Sequence, residues 1–158
     1  MDPVKYRNLF LEEATEHLAE MSRALLELEK DPRAREAIDL VFRMVHSLKG
    51  MGASLGYDAV SELSHRLEDR LGVWRAAGGI DDPAGLPILF RGLESLERMV
   101  AFVREAGGPP PPDPELVAVV RETGAAPTPD PALAAALDAA AGAEAGTASP
   151  KKAVARAR

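Results

Sequence analysis

The chain has 158 residues, a formal net charge of −6, 46% hydrophobic but only 4% aromatic residues, and no cysteine. The acidity argues against a nucleic-acid binder, which needs a basic face for phosphates, and the lack of cysteine removes disulfides and thiolate metal sites. An aliphatic, alanine-rich composition suits close-packed helices better than a β-sandwich.

The N-terminal stretch MDPVKYRNLF has no apolar signal core. No apolar run approaches the roughly 20 residues that span a bilayer, so a soluble, cytoplasmic chain without membrane contact is expected.

Four Asp-Pro pairs, at Asp2-Pro3, Asp31-Pro32, Asp82-Pro83 and Asp113-Pro114, read as helix starts. An aspartate at the N-cap accepts from first-turn amides, and a following proline has no amide to satisfy and a preset φ. In the first helix Leu11, Ala14, Leu18, Met21, Leu25 and Leu28 recur at spacings of three and four, which makes a bundle seam.

In the second helix Ile38, Val41, Val45, Leu48 and Leu55 repeat the pattern with Gly52 in register; Gly56 is expected to end it and Asp58 to cap the next. The third carries Val60, Leu63, Leu67, Leu71 and Trp74 and stops at Gly78-Gly79. The fourth carries Leu86, Leu89, Leu93, Leu96, Val100 and Val103, with Pro87 expected to delay its first regular turn. A short fifth helix from about Pro114 to Glu122 offers Leu116, Val119 and Val120.

Short connections make neighbouring helices antiparallel. The expected fold is all-α, an antiparallel four-helix bundle over residues 1–124 with a short fifth helix. Residues 125–158 are dominated by alanine with Pro, Gly, Thr and Ser, and their charges nearly cancel. Such a segment cannot bury enough apolar surface to offset its ordering entropy, so a flexible, disordered linker is expected there, leading into a longer parent protein. Asp130-Pro131 falls in this tail, where Pro131 to Leu137 is expected to be helical only transiently.

At about 100° per residue, His46 shares a face with Asp39, Phe42, Arg43, Lys49, Gly50 and Ala53, away from the seam. Ser61, His65, Glu68, Gly72 and Arg75 form a polar face on the third helix. Antiparallel packing of the two helices brings these faces to one surface.

Phosphoryl transfer fits such a group. Free imidazole, with a pKa of about 6.5, is substantially neutral and nucleophilic near pH 7. A carboxylate that accepts the Nδ1 proton leaves Nε2 free to attack. A nearby cation balances charge on the phosphoryl group, and glycine at i+4 clears space for a partner.

Blander readings compete. A lone helical histidine is most often a surface or cap residue, and His65 with Glu68 at i, i+3 can be a local surface pair. Two histidines and one glutamate across two helices make a weak metal signal, with His17 on another helix. The stretch GMGASLG over residues 50–56 follows no strand and matches no nucleotide-binding spacing.

The stretch FRMVHSLKG over residues 42–50 resembles the phosphorylation motif of histidine phosphotransfer (HPt) domains, His-Ser-(Leu/Ile)-Lys-Gly. Gly56-Tyr57 and then LSHRLEDRL over residues 63–71 resemble the first domain of chemotaxis histidine kinases of the CheA type. The similarity is strong over residues 38–75 and extends across 1–122.

The resemblance implies that His46 is the phosphoacceptor and Lys49 the phosphoryl-stabilising cation. It implies that Glu68 accepts the Nδ1 proton of His46 and that His65 supports that network. Gly50 permits close docking, and Phe42, Arg43 and Ala53 complete the docking face. It also implies a kinase catalytic domain as phosphodonor, acting in trans within a dimeric parent and holding the ATP–Mg²⁺, so that this chain needs no cofactor of its own. Response-regulator receiver domains are the implied acceptors.

Leu55 stands where a Phe is common in CheA proteins, and Met51 is bulkier than usual. An HPt module from a gliding-motility or pilus chemosensory kinase is therefore an alternative.

Outside this class stand a non-catalytic helical adaptor, in which His46 is incidental, and a metalloenzyme, which lacks a His-Glu-x-x-His pattern. Without the dimerisation segment of the family, the isolated fragment is expected to be monomeric, with small, quickly exchanged docking interfaces.

Overall fold

The computed structural model describes residues 2–122. It contains α1 (Pro3–Lys30), α2 (Arg35–Leu55), α3 (Asp58–Ala77), α4 (Gly85–Ala106) and α5 (Pro114–Glu122), with no strand among the described residues. The expected linker at 125–158 lies outside the described residues.

Cross-helix contacts give the topology. On α1 and α2, His17 meets Ser47, while Phe10 lies against Tyr57 just beyond α2. Asp39 near the start of α2 meets Arg75 near the end of α3. Leu67 on α3 faces Gly92 on α4, and Trp74 faces Gly85. Arg104 on α4 reaches Thr15 on α1, and Arg7 reaches Gly107. Every neighbouring pair is antiparallel, and α4 returns to α1, which closes a four-helix bundle. α5 packs on α3 and α4.

The seams supply the core. Leu18, Met21, Leu25 and Leu28 of α1 join Ile38, Val41, Val45 and Leu48 of α2 and the whole predicted stripe of α3. Individual assignments shift by one position. Phe10 is buried and Leu11 only partly so, because Phe10 is the residue that packs edge-on to the Tyr57 ring at 5.1 Å. Leu55 and Leu86 are half-buried, with Ile88 joining Leu89 in the core. On α5 the buried face is Leu116, Val117 and Val120 rather than Val119.

The Asp-Pro pairs divide into two kinds. Asp2 accepts from the Val4 amide at 3.0 Å and Asp113 from the Leu116 amide at 3.3 Å, and helices follow at once. Asp31 and Asp82 instead open turns. The Ala34 amide bonds to the Asp31 carbonyl at 3.1 Å and the Gly85 amide to the Asp82 carbonyl at 2.9 Å, with proline at the second turn position. α2 therefore begins four residues after Asp31 and α4 three after Asp82, and Pro87 sits in the first turn of α4, where a missing amide costs no intrahelical bond.

Asp58 is the first residue of α3, not its cap; Tyr57 holds the cap position without a side-chain bond. Gly56, Gly78 and Gly107 end their helices in the left-handed region.

At Gly52 the backbone of α2 packs directly against the start of α3. A Cβ there would lie 3.0 Å from the Ser61 amide nitrogen and 3.2 Å from the Tyr57 carbonyl oxygen. Gly50, two residues earlier, opens onto free space. This close approach sets the separation of the two helices that carry the polar faces.

Candidate functional site

The two polar faces meet. On α2, one seam residue per turn fixes Val41, Val45 and Leu48 inward, which turns His46 outward with its side chain 63% exposed. On α3, burial of Leu63, Leu67 and Leu71 places Glu68 at the α2–α3 boundary, 15% exposed.

The His46 Nδ1–H donates to Glu68 Oε2 at 2.5 Å. Lys49 Nζ donates to the other oxygen, Oε1, at 2.9 Å. One carboxylate thus bridges an imidazole and an ammonium three residues apart on the facing helix.

Burial pushes the Glu68 carboxyl pKa up. The hydrogen bonds from Lys49 and His46, with their charges, outweigh it and hold the group below its ordinary value. Glu68 is therefore ionised at neutral pH and is an acceptor only. That fixes the proton on Nδ1 and leaves Nε2 as the nitrogen with a lone pair.

The ring is also held from the side. Phe42, one turn before His46, stacks with it at 6.4 Å between centroids and an interplanar angle of 9°. Arg75 of α3 lies over Phe42, its guanidinium carbon 5.0 Å from the ring centroid, and its Nε is ion-paired with Asp39 Oδ1 at 2.7 Å. Asp39 and Arg75 were each legible as members of their polar faces; their joint hold on Phe42 was not, because it depends on the register between two helices. The hydrogen-bond contact between His17 Nε2 and Ser47 Oγ, 3.0 Å across α1 and α2, has no sequence signal of its own.

His65 falls outside the His46 network. Its Nε2 pairs with Asp69 Oδ1 at 3.7 Å, one turn along its own helix, and Asp69 also meets Arg66. Arg43, Gly50 and Ala53 are exposed on the His46 face, and Phe42 is half-buried. Among the described residues, no group of three or more His, Asp or Glu side chains is arranged to hold a metal ion.

An open cleft of about 810 Å³ adjoins this face, between the start of α1 and the end of α2. Val4, Tyr6 and Leu9 border it from α1 and Gly50 and Met51 from α2. Val4, Tyr6 and Leu9 are each 44% exposed or more. The α1 periodicity puts these residues off the seam, but nothing in the sequence alone says that they stand beside Gly50.

The Hpt domain family model matches residues 5–143. The chain belongs to the Hpt domain family. The Hpt chain is 38% identical over 107 residues to the chemotaxis protein CheA of Bacillus subtilis, an alignment covering 68% of this chain and 16% of that protein. It is 33% identical over 102 residues to the CheA protein of Halobacterium salinarum, covering 65% and 15%. The chain therefore spans only a small part of the curated relatives it matches.

Among solved structures, the CheA phosphotransferase domain from Thermotoga maritima superposes with a TM-score of 0.61 at 33% identity, covering 65% of this chain and 98% of that one. The phosphorylated P1 domain of CheA3 in complex with CheY6 from R. sphaeroides superposes with a TM-score of 0.68 at 25% identity, covering 74% and 93%. These similarities bear out the all-helical HPt fold expected from the seams. No helix among the described residues is long and apolar enough to cross a membrane.

Proposed function

We propose that this Hpt domain is the phosphoacceptor and phosphodonor module of a chemotaxis-type signalling kinase, with His46 as the residue that carries the phosphoryl group. The observation that carries the reading is the bridge from Glu68 to His46 Nδ1 and Lys49 Nζ. It commits Nε2 to nucleophilic attack and supplies a cation beside it. The CheA relatives and the phosphorylated P1 domain seen with CheY6 support the same assignment.

In the first step the Nε2 lone pair of His46 forms a bond to the γ-phosphorus of ATP while the bond to the bridging oxygen of ADP breaks. ATP–Mg²⁺ is held by a separate kinase catalytic domain, acting in trans within a dimeric parent. The ring retains its Nδ1 proton, and its developing positive charge is balanced by Glu68. Lys49, 29% exposed, is placed to neutralise phosphoryl oxygens.

In the second step a receiver aspartate oxygen forms the new bond to phosphorus as the N–P bond breaks, and its electron pair returns to Nε2. His65 is left out of this chemistry because its partner is Asp69.

Partners dock over Arg43, Gly50 and Ala53, and the exposed apolar side chains of α1 beside Gly50 extend that face. The patch is small, which suits brief encounters and a monomeric domain.

The test is reconstitution. The chain is incubated with the catalytic core of a CheA relative and ATP–Mg²⁺, followed by a receiver domain. Label should appear on wild type, not on His46→Gln, and should move to the receiver. Labelling of His46→Gln at the wild-type rate removes the assignment.

A further inference from the structure

We propose that Phe42 and Arg75 are positioning residues for phosphoryl transfer: a stacked column, anchored by Asp39, that holds the His46 imidazole in its attacking orientation rather than a surface for partner contact. The proposal rests on the reading of His46 as phosphoacceptor and deepens it.

The geometry poses a mechanical problem. The His46 side chain is 63% exposed, and one hydrogen bond, to Glu68, ties its ring. A histidine χ2 is broad and roughly two-fold. A ring tied at Nδ1 alone can rock about that bond and carry Nε2 through an arc. Attack on phosphorus needs Nε2 in line with the leaving oxygen, and a misplacement of about 1 Å can cost on the order of 100-fold in rate.

Phe42 supplies the second restraint. Its ring is nearly parallel to the imidazole, 9° apart at 6.4 Å, within the range of offset stacking. A ring that limits rocking must itself be fixed. Phe42 is half-buried, and Gly72 of α3 lies beneath it: a Cβ there would stand 3.8 Å from Phe42 Cε2. Arg75 completes the hold, 5.0 Å over the ring.

Arg75 is 53% exposed and its partner Asp39 43%. A pair so open to water adds little to stability. Its structural result is different: an ion pair of 2.7 Å to Asp39, one turn before Phe42, keeps the planar guanidinium over the aromatic face. Lysine does not reproduce this, because its ammonium is a point charge without a stacking plane.

A positioning role and a docking role separate kinetically. A residue that only contacts the partner changes KM, whereas one that orients the nucleophile changes kcat. The chain serves as varied substrate for a CheA catalytic core with saturating ATP–Mg²⁺, comparing wild type with Phe42→Leu, Phe42→Tyr, Arg75→Ala and Arg75→Lys. Phe42→Leu is expected to lower kcat about fivefold or more with KM within about twofold, and Phe42→Tyr to restore it. Arg75→Ala should lower kcat in the same direction by a smaller factor, with Arg75→Lys failing to restore it. Imidazole ¹⁵N spectra of the isolated chain should keep the single Nδ1–H tautomer signature of His46 in Phe42→Leu, because Glu68 still holds Nδ1 and only the ring's orientation is released.

Unchanged kcat with raised KM in Phe42→Leu and Arg75→Ala would assign both to partner contact and overturn the proposal. Should Phe42→Leu fail to fold, the exposed Arg75 variants decide alone. His46→Gln, run alongside, keeps the two failures apart: label on that variant defeats the phosphoacceptor reading, whereas label that needs His46 but ignores Phe42 and Arg75 defeats only the column.

Discussion

His46 Nδ1 on α2 and Glu68 Oε2 on α3 stand 2.5 Å apart, while the other oxygen of the same carboxylate takes a 2.9 Å hydrogen bond from Lys49. The pairing joins residues 22 positions apart. It decides which imidazole nitrogen carries a proton, and so which one can react.

Replacing Glu68 should therefore harm chemistry more than folding. Glu68→Gln keeps an acceptor oxygen but not the charge that balances the ring, and its phosphorylation rate is expected to fall by about tenfold or more. Glu68→Ala should be slower still. The bundle core does not depend on this contact, and an ion pair at a helix boundary contributes about 0–1 kcal/mol, so thermal unfolding should move by only a few degrees. Wild-type kinetics in Glu68→Ala would remove the tautomer role.

The same carboxylate sets a pH dependence with a definite sign. Its folded pKa is lowered despite burial, because Lys49 and His46 donate to the charged form. Between the folded value and the unfolded value of about 4.3, the unfolded chain binds more protons, so stability rises with pH. The Glu68 contribution is full above the unfolded value and is lost as pH falls through the folded one. In urea unfolding, the stability difference between wild type and Glu68→Gln should shrink as the pH falls below about 4. A difference that grows as the pH falls through that acidic range would contradict the direction.

Two glycines on α2 should respond oppositely to alanine. Gly50 opens onto free space, so Gly50→Ala is expected to stabilise the helix by about 0.5–1 kcal/mol. Its methyl group then stands on the docking face and should slow transfer to a receiver. Gly52→Ala gains the same propensity, but its Cβ meets the α3 backbone at 3.0 Å, and backbone cannot rotate away. A net loss of about 1–2 kcal/mol is expected. Chemical denaturation of the two variants checks both signs.

Leu9 tests the extension of the docking face onto α1. It is 50% exposed and borders the cleft beside Gly50. Leu9→Glu should leave the unfolding midpoint nearly unchanged while weakening receiver transfer about tenfold through KM. A transfer rate unaffected at low receiver concentration would confine the face to α2 and α3.

Much of this was legible in the sequence, for physical reasons that differ by residue. Leu63, Leu67, Leu71 and Trp74 had to share a stripe, so the helix and its buried face followed from period alone. The face of His46 followed by subtraction. Asp31-Pro32 and Asp82-Pro83 misled because the same dipeptide opens a turn as readily as a helix; the carbonyl bonds from Ala34 and Gly85 decide, and they depend on where the chain must go next.

His65 misled for a related reason. Its spacing to Glu68 suits a shared role, but the structure pairs it with Asp69 at i+4. Contacts set by inter-helix register, such as Arg75 over Phe42, had no one-dimensional signature beyond membership of the two polar faces.

The most direct measurement locates the phosphoryl group on the ring. The chain, ¹⁵N-labelled at histidine, is phosphorylated with a CheA catalytic core, and nitrogen–phosphorus and nitrogen–proton correlations are recorded. Phosphorus bonded to Nε2 of His46 with a proton retained on Nδ1 is expected. Phosphorus on Nδ1, or on a residue other than His46, would contradict the central claim.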